Sequence, residues 1–533
     1  MNWKVQWSKL HRKLGWWGAF AVLIWAISGL AHPLMSWFGP QAVKFYPPSL
    51  KLTPQQYQGL IHVIESNELK TAHMIKVIPS SKEALVQLTE GEKQPRRYFS
   101  LASGKELPGD ELPNYDQQQA KWLASYYTGR GADEIEKIHW QTEFDESYPS
   151  VNRLLPVYRV RFAGGDGLTA YVYTETNALA TLTNDFRQQL QGIFQVLHTW
   201  SWLNKFDNAR VLLVGLFMLS LLAMCVAGIG LVIVLKSRRI PQASRRWHRV
   251  LSYALWLPLL GWSTSGFYHL LKAAYIEPVS GLRLSQEMHL DNRQWADINN
   301  ILGRYEGQSI NAVALIEGKS VEGQLVEGPS VKRKATTDKQ QLFYRLSLSQ
   351  SNNSQSHSPS ERFSGKASEQ SAVYINAVSG QLREKNDQAQ ARYLALQHTG
   401  YEDGSIVNVS KVARFGPDYD FRNKRLPVWR VDFTEEVGLR IFVDPTTGIL
   451  VDQNRQVDRA ESWSFSILHK WNHLNPIMGR FYRDVFIVGT LLVCLLMTVF
   501  GIVMLLKNRK RRNKPKSKPT KAQIAEPSEP ALG

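Results

Sequence analysis

Hydrophobic residues gather in four long stretches that contain no Asp, Glu, Lys or Arg: residues 14–38, 211–235, 250–271 and 485–506. Each stretch has about twenty residues or more, the length that a helix needs to cross roughly 30 Å of hydrocarbon. The first is too long for a cleaved signal peptide and ends without a small-residue cleavage site. The pattern therefore predicts an integral membrane α-helical protein with four transmembrane helices.

Basic residues flank these stretches. Residues 1–13 carry four Lys or Arg, residues 236–249 carry six, and the tail from Lys507 carries nine beside two Glu. These segments account for nearly all of the net charge of +18. Because cytoplasmic flanks of membrane helices are rich in Lys and Arg, both termini are expected in the cytoplasm. The basic tail is expected to contact lipid headgroups, and a nucleic-acid partner is not expected.

The second half of the chain repeats the first. The motif W-x-x-S-G-x-x-H occurs as WAISGLAH at residues 25–32 and as WSTSGFYH at residues 262–269, and His11 matches His248 at the same offset of 237. LPVYRV and LPVWRV match at an offset of 271, as do LHTWSWLN and LHKWNHLN, and Gly230 and Gly501. The sequence therefore predicts a two-fold internal repeat, with a gain of 34 residues in the second half.

Each half contains a long, nearly neutral segment that is expected outside the membrane. A helix is predicted within LTPQQYQGLIHVIESNEL. Alternating hydrophobic residues in PVYRVRF, in TAYVYTETNALATLTND and on both sides of the turn Pro445–Gly448 predict strands. Each segment is therefore expected to form an α+β domain. The Ser-rich stretch 349–371 is too poor in apolar residues to fold and is predicted to be a disordered insert.

These patterns divide the chain into nine segments. They are the cytoplasmic residues 1–13, the span 14–38, the external domain 39–207, the span 208–236, the cytoplasmic loop 237–249, the span 250–272, the external domain 273–482, the span 483–507 and the cytoplasmic tail 508–533. Cys225 and Cys494 are the only cysteines and lie in predicted spans, so no disulfide is expected in the external domains.

Six of the thirteen histidines belong to the repeated pattern: His11, His32, His198, His248, His269 and His469. In the predicted topology His11 and His248 lie at the cytoplasmic mouths of their spans. The other four lie near the external face, since the 21 residues from His11 to His32 rise about 31 Å in a helix. Neutral imidazole is a good axial ligand of haem iron, so histidines at these two depths suit haems near both faces.

The pairing of these histidines is only partly determined. A site on the pseudo-twofold axis joins His11 to His248, whereas His32 has three alternative partners on the external side: His198, His269 and His469. A structural interpretation also stands for each, because a histidine in a span can serve as an interhelical hydrogen-bond donor or meet headgroups. The Ser-Gly pairs one turn before His32 and His269 would leave room for a flat ring, but such pairs are also common helix-packing contacts.

Two sets of motifs resemble known families. A helix followed by PVYRV or PVWRV and then a hairpin such as FVDPTTGILVD is similar to the PepSY domain. Spans that open with LHRKLGWW and WHRVLSY and end with GIGLVIVLK and GIVMLLKNRK resemble the PepSY-associated transmembrane helix family. Some members of that family are inner-membrane proteins linked to siderophore-iron uptake, and some are haem-containing reductases of ferric siderophores. The resemblance implies two periplasmic PepSY-like domains, a bacterial inner-membrane location and two haem b groups.

The function expected from these features is electron transfer across the membrane to a periplasmic acceptor, with a ferric siderophore as the substrate. The chain has no G-x-G-x-x-G or G-x-x-x-x-G-K-[ST] motif, so a quinol or a separate reductase is expected to supply the electrons. Two alternatives belong to other classes: a non-catalytic PepSY membrane protein that binds or regulates periplasmic peptidases, and an accessory of a siderophore permease.

Overall fold

The computed structural model describes residues 3–49, 51–52, 58–108, 114–234, 242–279, 281–291, 293–297, 305, 308–319, 340–350, 371–383 and 386–512. The chain divides into two compact units. The helical unit comprises Met1–Leu30, Leu197–Phe267 and Leu474–Gly533, and the sheet unit comprises Ala31–Val196 and Tyr268–His473. Both units therefore contain segments from both halves of the repeat.

Nine α-helices lie in the described residues. They are α1 (Trp3–Phe38), α2 (Gln58–Ser66), α3 (Tyr115–Thr128), α4 (Asp185–Leu197), α5 (Asp207–Val234), α6 (Ala243–Tyr275), α7 (Asp387–Thr399), α8 (Gln456–Ser464) and α9 (Asn475–Arg512).

The helical unit has one apolar core, to which α1, α5, α6 and α9 all contribute. Val22 and Ala26 from α1 pack in it with Leu221 from α5, Leu255 from α6 and Leu491 from α9. Small residues bring the helices close together: a Cβ placed on Gly18 would meet Met224 at 2.4 Å. Close approach of helices at small residues is typical of packing within membranes.

The prediction of an α-helical membrane protein with four transmembrane helices is wrong. Of the described helices, only three are long and apolar enough to cross a membrane, in the segments Val5–Phe38, Ser201–Val234 and Asn472–Arg509. The predicted span at 250–272 lies in α6, where Ser, Thr, Gly, Trp and Tyr interrupt the leucines and Pro258 lies inside the helix. The prediction was wrong at this segment because it relied on the absence of charged residues. The mean hydropathy of α6 is too low for a membrane span.

The described residues also contain four β-sheets, which a purely helical membrane fold does not have. Their strands are β1 (Thr71–Ala72), β2 (Met74–Pro79), β3 (Ala84–Thr89), β4 (Arg97–Ser100), β5 (Ile135–Gln141), β6 (Val157–Phe162), β7 (Thr169–Tyr173), β8 (Ala178–Thr183), β9 (Met288–His289), β10 (Gln308–Lys319), β11 (Gln340–Gln350), β12 (Ser371–Asn376), β13 (Leu382–Arg383), β14 (Ile406–Val412), β15 (Val428–Phe433), β16 (Leu439–Asp444) and β17 (Ile449–Arg455).

The largest sheet has seven strands in the order β13-β12-β11-β10-β2-β3-β4. Strands β2 to β4 come from the first half of the chain and β10 to β13 from the second. The halves join where β2 pairs antiparallel with β10, with Val77 opposite Val313. One hydrophobic core, which includes Ile75, Val86, Leu315 and Leu346, lies under strands from both halves. A small sheet of β1 and β9 also joins the two halves.

Two four-stranded antiparallel sheets repeat each other at the offset of 271. In the first, β5-β6-β7-β8, Ile138 pairs with Val160; in the second, β14-β15-β16-β17, Val409 pairs with Val431. Each sheet is covered by one helix, α3 or α7, that begins at an Asn cap and ends at a glycine with positive φ. The hairpin predicted around Pro445–Gly448 is confirmed as β16 and β17.

A buried ionic network links the halves within the sheet unit. Glu175 is 1% exposed and accepts from Arg425 at 2.7 Å and from Lys76 at 3.3 Å. Arg425 also bonds Asp444 at 2.6 Å. Burial alone would raise the pKa of Glu175, but the charges of Arg425 and Lys76 outweigh it and hold that pKa at about 2. The carboxylate is therefore ionised and shared between residues of both halves.

Two predicted segments fall largely outside the described residues. The Ser-rich insert at 349–371 meets described residues at its edges, where Ser349 and Gln350 end β11 and Ser371 begins β12. The predicted cytoplasmic tail 508–533 is described as far as Arg512, where α9 ends.

Candidate functional site

His11 and His248 face each other in the helical unit. His11 lies in α1 and His248 in α6, and their ring centroids are 6.2 Å apart with an angle of 66° between the ring planes. The sequence predicted this pair from the pseudo-twofold relation of the two halves. The structure brings the two imidazoles together.

Each imidazole is fixed by a backbone carbonyl of a neighbouring helix. Nδ1 of His11 lies 3.2 Å from the carbonyl oxygen of Met224 in α5, and Nδ1 of His248 lies 3.1 Å from that of Met497 in α9. A carbonyl only accepts, so each Nδ1 carries the proton and donates it. In the neutral imidazole Nε2 then keeps its lone pair, which is the form that binds a metal.

Two glycines let the rings lie against the helices. A Cβ on Gly228 of α5 would be 3.6 Å from Cε1 of His11, and a Cβ on Gly501 of α9 would be 3.4 Å from Cε1 of His248. A Cβ at either position would be in van der Waals contact with the ring, and a branched side chain would reach into it. The glycine–histidine contact that occurs in both halves involves Gly228 and Gly501. The sequence offset of 271 instead pairs Gly501 with Gly230, where a Cβ would be 3.0 Å from the ring of Trp7.

The rings of the pair lie close enough for both imidazoles to hold one metal ion between them. The observed separation is 6.2 Å. A ligating histidine usually donates its other N–H to a carbonyl or carboxylate, as both rings do here. In ring separation and in the protonation of Nδ1, the two histidines match what the ligands of a haem iron need, and they would hold such a group, which brings four nitrogen ligands of its own.

The rest of the described chain offers no fuller metal site: no group of three or more His, Cys, Asp or Glu side chains in it is placed to hold a metal ion. The two cysteines lie in the apolar core of the helical unit. Among the described side chains of that unit, His11 and His248 form a pair in which each Nδ1 is hydrogen-bonded to a backbone carbonyl of a neighbouring helix.

His198 is held by the first W-x-x-S-G-x-x-H motif. Its Nδ1 lies 2.9 Å from the hydroxyl oxygen of Ser28, and its carbonyl accepts from the indole of Trp25 at 3.2 Å. Ser28 is fully buried. The motif thus anchors His198, and Gly29 in the same motif would place a Cβ 3.7 Å from Leu491. The helix-packing interpretation fits Gly29, whereas Ser28 contacts the histidine directly.

His269 and His469 lie in the sheet unit and share an aromatic neighbour. Nδ1 of His269 lies 2.6 Å from a carboxylate oxygen of Glu461 in α8. The ring of Phe465 stacks on His269 at 4.9 Å and on His469 at 4.5 Å. Phe465 and His469 are the ends of a single π-helical turn, a feature that occurs frequently at functional sites.

The sequence did not identify the groups that orient these imidazoles. The acceptors of His11 and His248 are main-chain carbonyls, which carry no signal in the sequence. Glu461 has no counterpart in the first half, where Leu190 stands at the offset of 271, so the internal repeat gives no signal for it. His32 lies in α1, exposed, and its pairing with His198, His269 or His469 stays a prediction.

Comparison with known protein families found no family that matches the chain, and no curated protein matches it either.

Proposed function

We propose that this chain is a haem b protein of a bacterial inner membrane that passes electrons to an acceptor on the periplasmic side, with a ferric siderophore as the substrate. The observation that carries the proposal is the His11–His248 pair, with rings 6.2 Å apart and each Nδ1 on a carbonyl. The three apolar helices of membrane-spanning length and the basic segments beside them support a membrane location.

The protein's own residues would hold the two ligands of the haem in fixed orientations. The carbonyls of Met224 and Met497 set the imidazole tautomers and orientations. Met497 also belongs to the apolar core of the helical unit. Haem, when bound, supplies an iron that accepts and returns one electron at a time. A preset ligand geometry reduces the reorganisation that each electron transfer requires.

A second haem would be held by repeated histidines other than His11 and His248. The hydrogen bonds of His198 to Ser28 and of His269 to Glu461 orient two of these rings. Electrons would come from a quinol or a separate reductase. Reduction of ferric iron lowers its charge and weakens its bonds to the hard oxygen donors of a siderophore, which then releases it.

The test is a reduced-minus-oxidised absorption spectrum of the purified full-length protein, expressed with ample haem. The wild type is expected to show a low-spin haem b spectrum, and His11→Ala and His248→Ala are each expected to lose one haem. His139→Ala, an exposed histidine on β5, serves as the control and is expected to keep the wild-type haem content. A wild-type protein without haem would refute the proposal and favour a PepSY protein that regulates peptidases.

A further inference from the structure

Helix α4 has an apolar stripe that the protein covers only in part, since Leu190 and Leu197 are half-buried. Phe186, Leu190, Ile193 and Leu197 lie at i, i+4, i+7 and i+11, so they share one face of the helix. No residue of α4 is buried, and Phe186 and Ile193 are 40% and 47% exposed. A helix on the surface of a soluble protein normally turns such a stripe toward the core.

The polar side of α4 contacts the protein instead. Gln195, which lies opposite the stripe, donates from its side-chain amide to the carbonyl of Glu146 at 3.5 Å. The guanidinium of Arg187 donates to the carbonyl of Leu182 at the end of β8. The polar side of α4 therefore takes part in contacts with the protein while part of the apolar stripe stays exposed.

Exposed apolar residues continue from α4 into the next membrane-spanning segment. The turn Ser201–Phe206, which follows α4, carries Trp202 at 62% and Phe206 at 68% exposure. The segment Ser201–Val234 is one of the three that are apolar and long enough to cross a membrane. In the second half, α8 precedes α9 in the same order and exposes Trp463. Aromatic residues next to a span are typical of the membrane interface.

We propose that α4 is an interfacial helix that lies in the plane of the membrane, with Phe186, Leu190, Ile193 and Leu197 buried at the boundary between phospholipid headgroups and acyl chains. We assign the bilayer as the partner of the stripe for two reasons. The membrane-spanning segment Ser201–Val234 follows α4 directly in the chain, and the polar side of α4 is hydrogen-bonded to the protein. Amphipathic helices of this kind bury their apolar face about 5–10 Å deep in the headgroup region. The inference does not depend on haem binding.

The test uses full-length protein in phosphatidylcholine nanodiscs, with Ile193→Cys carrying an environment-sensitive fluorophore. The native cysteines are buried, and the unsubstituted protein gives their labelling background. Lipid with a nitroxide near the headgroup end of the acyl chain is expected to quench position 193 several-fold more than position 188, labelled through Gln188→Cys on the polar side. Phe186→Cys is expected to repeat the result for position 193.

Equal quenching at positions 193 and 188 would overturn the proposal. So would protection of position 193 that appears in detergent and rises with protein concentration, because that result identifies a second copy of the chain as the occupant. Circular dichroism of each variant verifies that the substitution has not changed the secondary-structure content of the protein.

Discussion

At the scale of single residues, Gly228 and Gly501 control the space around the two facing imidazoles. A Cβ at these positions would already be in van der Waals contact with the ring, 3.6 Å or 3.4 Å from Cε1, so a branched side chain would enter the volume of the ring. Because protein interiors are close-packed, the ring rather than the helix backbone is expected to move. Coordination depends on ring position, so these glycines belong to the proposed haem site as much as the histidines do.

Gly501→Val is therefore expected to abolish most of the low-spin haem signal associated with His248, because the branched side chain displaces the imidazole. Gly489→Val is the matched control: it lies on the same helix, and a Cβ there has nothing within 4 Å. Absorption spectra of the two purified variants measure the effect. Equal haem content in both would show that Gly501 does not support the site.

Glu461 gives His269 a partner of a different kind from those of His11 and His248. A carboxylate that accepts the Nδ1 proton makes the imidazole more basic, and its negative charge favours an oxidised, more positive iron. If His269 holds a haem, Glu461→Gln is expected to shift its midpoint potential to a more positive value while the haem content is unchanged. The measurement is a redox titration followed by absorption spectroscopy.

Asp458→Asn is the control for Glu461, since Asp458 lies one turn earlier on α8 and pairs with Lys272 at 2.9 Å. If the contacts of Glu461 and Asp458 only support the local structure, Glu461→Gln and Asp458→Asn are expected to change the midpoint potential by the same small amount. Identical potentials in Glu461→Gln and the wild type would exclude electrostatic tuning by Glu461.

At the scale of elements, the two equivalent hairpins use different residues at the same left-handed turn position. Asn177 between β7 and β8 has φ 53°, and Gly448 between β16 and β17 has φ 72°. Asn tolerates this region better than other residues with a side chain, whereas Gly448 also has the Cβ of Ser285 only 3.0 Å from where its own Cβ would be. The second hairpin therefore depends on glycine more strictly than the first.

Gly448→Ala is expected to lower the free energy of unfolding by about 1–2 kcal/mol, from left-handed strain alone. Gly404→Ala, at a glycine without a positive φ and with nothing within 4 Å of a Cβ, is expected to change it by less than about 0.5 kcal/mol. Thermal or denaturant unfolding of the full-length protein measures both. A Gly448→Ala protein as stable as Gly404→Ala would contradict the strain argument.

The elements show what the sequence could and could not predict. The hairpin of β16 and β17 was predictable because alternation and a Pro445–Gly448 turn are local signals. Helix α6 was misjudged because a stretch without charges still contains Pro258 and many polar or aromatic residues. Pairing of β2 with β10 depends on two strand edges far apart in sequence, and nothing in either strand specifies its partner.

At the scale of the whole molecule, the Glu175 network couples folding of the sheet unit to acidity. The pKa of Glu175 is about 2 in the folded protein and near 4.5 in an unfolded chain. A lowered folded-state pKa stabilises the protein above the unfolded value, and this contribution is lost as the pH falls from about 4.5 to about 2. Acid is therefore expected to weaken a contact shared by the two halves of the chain.

Glu175→Gln is expected to destabilise the protein at neutral pH by roughly 3–5 kcal/mol, because Arg425 and Lys76 lose a buried counter-charge. The variant is also expected to lose less stability than the wild type between pH 4.5 and pH 2. Glu136→Gln, at an exposed carboxylate on β5, controls for loss of charge alone. Parallel pH profiles of melting temperature for the wild type and Glu175→Gln would contradict the assignment.

The antiparallel join of β2 to β10 also bears on how the duplicated chain arose. A protein with one copy of the unit would have an open strand edge at β2, and a second copy would close it by the same kind of pairing that now sets Val77 opposite Val313. Linking both copies in one polypeptide makes this closure independent of protein concentration. In the duplicated chain the seam between the two halves is intramolecular and needs no association between separate chains.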